Sequence, residues 1–406
     1  MARSLPSPFE PPCRFLVTTA LGLEGLLREE LIEMGFAPSA TPAGVAVLTG
    51  DWDTAARVLT RSRIGSRLLL SVREFSARTV DMLYDQVRRI DWPALFPHTL
   101  SIAVNAYGTT DSTGYKISFA PLKIKDAICD EFRKHGGPRP DVDRINPDVR
   151  LAAFFFNGRC ELSIDVSGQP MHRRGYREEG AAAPLRENRA AGLLRMAGYD
   201  GSAPLFDPFC GSGTIPIEAA LIARRLAPGL LRPVDSYAAV RFIPALTTAL
   251  GAERAVATEE SLPAAPHPIL GRDIDDSTLC VARSNARKAG VDRDVRFEQG
   301  DARNLNARGG WIVSNPPYGE RLADPEAARA LICEFVRRVK HHGTGTKLAL
   351  VLPRGPLEKS VGLKPARRLP IESGPLGLQL LLFDVYAGTR RGGSVDAATA
   401  ETTQGD

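Results

Sequence analysis

"FDPFCGSGTIPIEAALIA", residues Phe206 to Ala223, runs from an apolar strand end through a glycine turn into a helix. In open α/β sheets, ligands bind beyond the carboxyl ends of the strands, where a glycine turn lets them approach the backbone. The residues exclude two common ligands. A nucleoside-triphosphate loop requires G-x-x-x-x-G-K-[ST], and no lysine follows Gly213; a dinucleotide fingerprint requires a third glycine where Pro216 stands. A lone G-S-G turn is a weak signal, so its meaning depends on what the neighbouring strands carry.

Outward from the turn, "PLRENRAAGLLRMAG" (184–198) reads as a helix, followed by the strands "PLFDPF" (204–209), "HPILGRDI" (267–274), "VRFEQGDA" (295–302) and "WIVSNPPY" (311–318) with helices between them. This alternation predicts a parallel, doubly wound α/β sheet of Rossmann-like type covered on both faces. Pro228 to Pro266 is long and weakly patterned, so it is expected to be functional or mobile rather than filler. Successive strand ends carry Asp207, Asp273, Asp301 and Asn315. Asp273 suits the two hydroxyls of a ribose, although Asp273 or Asp275 also suits the cap of the next helix. Asp301 suits an adenine amino group. With Pro208, Cys210, Gly211, Ser212, Gly213 and Thr214 in the turn and no phosphate-binding lysine, the ligand that fits is S-adenosyl-L-methionine.

The corner after the fourth strand supplies the chemistry. Pro316 and Pro317 have no N–H, so ladder hydrogen bonding stops at Asn315. The Asn315 amide oxygen and the Pro316 carbonyl can then accept both N–H bonds of an exocyclic amine, with Tyr318 stacked on its ring. Such stacking is worth ~1–3 kcal/mol per base, and a polar group aimed at the transition state ~3–4 kcal/mol.

The first half is built differently. "RFLVTTA" (14–20) reads as a strand, followed by a helix with Leu23, Leu26, Leu27 and Leu31 on one face and Gly35 as its stop. "GVAVLTG" (44–50) and "DWDTAARVLTRSRIGSRLLLSV" (51–72) complete a β-α-β-β-α-β unit. A second block runs from Phe75 to Val166, and the polar "GQPMHRRGYREEG" (168–180) joins it to the rest. Eight arginines face three acids between Arg57 and Arg89. A second basic stretch holds Lys116, Lys123, Lys125, Arg133 and Lys134. Charge runs are usually solvated faces, so these alone do not establish a partner.

Over 406 residues, 43% hydrophobic and 24% charged residues with a net charge of +5 describe a globular chain of two or three domains. The six cysteines form no C-x-x-C pair, so neither a disulfide framework nor a metal site is expected. No apolar run approaches a signal peptide or membrane helix, which places the expected location in the cytoplasm.

Taken together, "DPFCGSGT" and "SNPPYGERL", with "RGYR" (174–177), "RPDVDR" (139–144) and "LKIKDAICDEF" (122–132), resemble the THUMP-containing RNA guanine-N2 methyltransferases of the class I fold. The likeness is greatest to the first half of bacterial enzymes that act on 23S ribosomal RNA. It implies a leader at 1–12, a ferredoxin-like subdomain at 13–74, a THUMP RNA-binding domain at 75–168, a linker at 169–181, a methyltransferase domain at 182–390 and a disordered tail at 391–406. It also adds Arg139 and Arg144 to the RNA-binding residues. The enteric relatives continue into a second methyltransferase half, so one guanine modification is expected here. The same catalytic corner would serve a transfer RNA guanine, or an adenine N6 or cytosine N4 amine in DNA. It also serves glutamine in a protein, which the basic first half suits poorly. A non-enzymatic RNA-binding assembly factor is the reading from a different class.

Overall fold

The computed structural model describes residues 7–40, 45–108, 114–177, 185–305, 308–317, 325–371 and 377–386. The first six residues, Tyr318 and the tail from 387 lie outside them. The first half contains β1 (Cys13–Thr19), α1 (Glu24–Glu33), β2 (Ser39–Ala40), β3 (Val45–Gly50), α2 (Trp52–Arg61), β4 (Gly65–Ser76), α3 (Val80–Arg88), α4 (Trp92–Leu95), β5 (Ile102–Gly108), α5 (Ala120–Lys134), β6 (Val149–Phe156) and β7 (Arg159–Asp165). Local chemistry starts its helices: the Asp51 carboxylate accepts from the Thr54 N–H at 2.9 Å at the head of α2, and Thr79 caps α3 in the same way.

The two blocks expected from the sequence share one sheet, in the order β2-β3-β1-β4-β7-β6-β5. The long β4 joins them. Its start pairs antiparallel with β1 through Gly65 to Leu70, and its end pairs with β7 through Leu69 to Ser76, with an irregularity between Ser71 and Arg73. Two separate apolar clusters cover this sheet, one around α1 and α2 and one around α3 and α5.

The second half follows as α6 (Glu187–Ala197), β8 (Leu205–Asp207), α7 (Thr214–Ala223), α8 (Pro244–Glu259), β9 (Ile269–Asp273), α9 (Asp276–Lys288), β10 (Val295–Gln299), β11 (Trp311–Ser314), α10 (Pro325–His342), β12 (Lys347–Pro353), α11 (Pro356–Ser360), β13 (Arg367–Ile371) and β14 (Leu378–Asp384). Its sheet runs β10-β9-β8-β11-β12-β14-β13, parallel throughout except for β14. Consecutive strands proceed outward from β8 in one direction and from β11 in the other. That reversal opens a crevice at the β8/β11 strand ends.

Residues 228–266 pack closely onto the first half of the chain. Tyr237, Ile243, Leu246 and Leu250 are buried in the same cluster as Val58 and Leu59 of α2. Arg61 pairs with Glu253 and Glu260, and the Tyr237 hydroxyl donates to the Leu59 carbonyl at 3.3 Å. The segment lacks a clear sequence pattern because its partner face belongs to the other half of the chain. The polar join is likewise packed: Met171, Arg174 and Tyr176 are all buried. Among the described residues, no helix is long and apolar enough to cross a membrane.

Gly229 marks the closest approach of the insertion to α2, since a Cβ there would lie 2.5 Å from the Leu59 carbonyl oxygen and 2.6 Å from Thr60 Cα. Gly229→Ala is expected to cost about 1–3 kcal/mol by overpacking. A thermal melt should show a midpoint lowered by a few degrees, and an unchanged midpoint would mean that this contact is easily relaxed.

Candidate active site

The ladder between β8 and β11 ends at Phe206 and Ile312, after which the strands separate. One side-chain bond bridges the gap: Ser314 Oγ donates to Asp207 Oδ1 at 2.5 Å, and both residues are buried. The Phe209 N–H donates to the same oxygen at 3.2 Å. Burial nevertheless dominates, and with the negative charge of Asp273 nearby it pushes the Asp207 carboxyl up to about 7.

The glycine turn follows at once. Gly211 and Gly213 have φ of +53° and +82°, a region open to glycine at little cost. The Cys210 N–H donates to the Arg272 carbonyl and the Gly211 N–H to Asp273 Oδ2, both at 2.9 Å, so the turn is fastened to the end of β9. The other oxygen of Asp273 accepts from the Asp275 N–H at 3.0 Å. Two backbone donors thereby fix the orientation of this carboxylate. Asn285 Nδ2 secures the far side of the turn by donating to the Ser212 carbonyl at 3.0 Å.

These elements enclose a cavity of about 570 Å³. Asp207, Cys210, Gly211, Ser212, Thr214 and Asp273 line it, and Asn315 joins them from the end of β11. Among the described residues, no lysine or arginine does so, whereas Asp207, Asp273 and Asp275 all do. A phosphate would be repelled here. A ligand carrying hydroxyls and positive charge fits, and a Cβ at Gly211 would meet nothing within 4 Å, leaving room beside the turn for it.

The structure separates several expected site residues from this wall. Pro208 is buried beneath it, and Gly213 packs inward, where a Cβ would come within 2.9 Å of the Phe297 ring. Asp301 is not on the lining. Its carboxylate accepts from the Arg303 N–H at 2.8 Å and from the Arg303 guanidinium at 2.6 Å. Asp275 caps α9 by accepting from the Ser277 N–H at 2.9 Å. Pro316 is buried and Pro317 half-buried. Sequence reading missed Leu185, Ser277, Thr278 and Val281 on the wall. The spacing of Ser277 and Val281 on α9 was the available signal, because residues four apart share a helix face.

The expected RNA-binding residues lie on and around α5. Lys116, Lys123, Arg139 and Arg144 are exposed and make no ion pair among the described residues. Lys125 pairs with Asp126, Arg133 with Asp130 and Lys134 with Glu131. Lys125 and Arg144 share a groove with Leu122 and Val142 along the outer edge of β5, where Val142 bridges to Ile102. Among the described residues, no group of three or more histidines, cysteines or carboxylates could hold a metal ion.

A doubly wound sheet of this order, with an acceptor-rich crevice at its reversal point, defines a protein of the Rossmann-like α/β class. Family comparison makes the class specific: the RMKL-like methyltransferase domain matches residues 174–381, the THUMP domain 77–165 and the RlmL ferredoxin-like domain 14–69. The chain belongs to the RMKL-like methyltransferase-domain family. It is 36% identical to the ribosomal RNA large subunit methyltransferase K/L of Syntrophotalea carbinolica, over 98% of this chain and 56% of that protein. The chain spans about half the length of the curated relatives it matches. Among solved structures it resembles a possible methylase from Clostridium difficile 630, with a TM-score of 0.82, 27% identity, and 93% and 100% of the two chains covered. It also resembles SMU.472, a candidate methyltransferase complexed with SAH, with a TM-score of 0.81, 26% identity, and 93% and 99% covered.

Ser314→Ala removes the hydroxyl donor that bridges the two strands and leaves the buried Asp207 with one partner fewer. The expected cost is about 1–3 kcal/mol, read by urea unfolding, with the Asp207 titration moving further up. A titration that stays in place would show that the Ser314 hydrogen bond does not hold the carboxylate.

Proposed function

We propose that this chain transfers a methyl group from S-adenosyl-L-methionine to the exocyclic N2 amine of a guanine in RNA, with 23S ribosomal RNA as the substrate. The observation that carries this reading is that Asn315 stands on the same cavity wall as the Gly211 turn and Asp273. The cofactor supplies a methyl already activated on a sulfonium, so the chain's task is alignment more than strong acid–base catalysis. Asp273, held by two backbone donors, accepts from the ribose hydroxyls, and Asp207 faces the cationic part of the ligand. Asn315 and the Pro316 carbonyl accept from the guanine amine, and Tyr318 stacks on the base. The large-subunit ribosomal RNA relatives and the THUMP match support an RNA substrate. An unpaired or flipped base is required, because the target amine of a stacked guanine cannot reach a crevice of this kind.

Nucleoside mass spectrometry of 23S, 16S and transfer RNA from cells with and without the gene tests the proposal. Loss of N2-methylguanine from 23S RNA alone is expected. Loss only from transfer RNA moves the substrate, and no change in any RNA pool points to DNA, protein or a non-enzymatic role.

Asn315→Ala is expected to leave cofactor affinity nearly unchanged while turnover falls about 100-fold or more. Lost cofactor binding would instead mean that Asn315 belongs to the cofactor pocket.

Asp207 gives a pH signature. Its raised pKa leaves it partly protonated near neutrality, and a cationic ligand favours its ionised form. Binding should therefore release a proton and tighten severalfold between about pH 6 and pH 8. Calorimetry in two buffers of different ionisation heat reads that proton, and Asp207→Asn should abolish the release. A pH-independent affinity in the unaltered chain would remove Asp207 from ligand binding.

A further inference from the structure

Three segments distant in sequence meet at the start of β4. The Met171 N–H donates to the Ser66 carbonyl at 2.7 Å. Asn188 Nδ2, in the first turn of α6, donates to Ser66 Oγ at 3.1 Å and to the Ile64 carbonyl at 3.3 Å. These bonds gather Arg67 of the first sheet, Arg173 of the connecting segment and Arg186 at the head of α6. His172 sits among them, its Nδ1 without a hydrogen-bond partner among the described residues. Burial, followed by the charges of Arg186, Arg174, Arg173 and Arg67, drives its pKa down to about 3, so it stays neutral.

The cations in this cluster differ in how they are compensated. Arg67 pairs with the buried Asp165, and Arg174 lies 3.7 Å from the buried Glu218. Arg173 and Arg186 are exposed, and neither makes an ion pair among the described residues. Among the described residues, the Arg173 guanidinium reaches only the Gln169 side-chain oxygen, at 3.5 Å. Arg186 directly follows Leu185, which lines the cavity. Among the described residues, two guanidiniums without an ion pair therefore stand at the junction of the two halves, Arg186 one residue from the wall of a cavity that no described lysine or arginine lines. Concentrated like charge of this kind disfavours the isolated protein and is relieved by a polyanion.

We infer that Arg173 and Arg186 form a second RNA contact, holding backbone phosphates next to the target base, separate from the lysine-rich surface of α5. The inference rests on the RNA substrate proposed above. It assigns the two surfaces different tasks: α5 and the β5 edge hold RNA at a distance from the site, and the arginine pair guides the strand into it. Guanidinium suits this role because its planar fork engages phosphate oxygens in pairs.

The test is salt-dependent binding of unmodified 23S ribosomal RNA transcribed in vitro. The chain is compared with Arg173→Ala/Arg186→Ala, with Arg173→Lys/Arg186→Lys and with Lys123→Ala/Lys125→Ala. SAH affinity and thermal midpoint serve as folding controls. The double alanine variant should bind about tenfold more weakly, and the slope of log affinity against log salt should be shallower by about 1.5, as two lost phosphate contacts require. The lysine pair should retain the slope, while SAH affinity and midpoint stay unchanged. An unaltered slope and affinity in the double alanine variant would overturn the inference, and the RNA reading would stand if Lys123→Ala/Lys125→Ala still weakens binding. Absence of salt-dependent binding by the unaltered chain would remove both.

Discussion

Glu218, on α7, has no solvent exposure, and its nearest cation, Arg174, has 1% side-chain exposure. A carboxylate buried in that way is tolerated only if a charge and hydrogen-bond donors meet it. The Tyr176 hydroxyl donates to it at 3.2 Å, so the "RGYR" segment between the two halves is folded inward over α7. Arg174 in turn donates to the Arg63 carbonyl of the first half, and Arg63 donates to the Leu221 and Leu226 carbonyls at the far end of α7. The helix that opens at the glycine turn is thus gripped at its last turn by the other half of the chain. Much of the remaining architecture follows from that constraint, because it couples the glycine turn to the sheet that carries the basic surface.

The insertion between α7 and β9 strengthens the same junction from another side. Arg232 donates to the Ser167 carbonyl at 2.9 Å while lying over the Tyr237 ring, and α8 packs on α2. The apolar cluster of the ferredoxin-like region therefore contains residues from both halves of the chain, from Cys13 to Leu250. A junction of this kind resembles a domain core more than a transient domain contact, which is typically more polar.

At the reversal point of the second sheet, electrostatics and backbone geometry act together. Parting of β8 from β11 creates the space, and the Ser314–Asp207 hydrogen bond limits how far the strands part. The same burial that makes this bond valuable raises the Asp207 pKa toward neutrality. Asp273, more accessible and fixed by backbone donors, sits in a different setting although it is the same residue type. Environment, rather than identity, separates the two carboxylates.

The amino-acid sequence by itself determined the element types, the Gly211–Gly213 turn, the Asn315–Pro317 corner and the three acids after successive strands. These are local properties: a positive φ, a missing N–H and the period of apolar residues depend on neighbours in the chain. It also placed Asp207, Asp273 and Asn315 together, because topology puts the strand ends on one rim. Tertiary structure alone decided that β4 unites two blocks in one sheet, that residues 228–266 are packed against α2, that Asp301 pairs with Arg303, and that the segments carrying Arg173 and Arg186 both bond to Ser66. Each of those depends on partners brought close by folding, and for all but the Arg303 pair those partners are distant in the chain. No local pattern encodes which buried charge will face which.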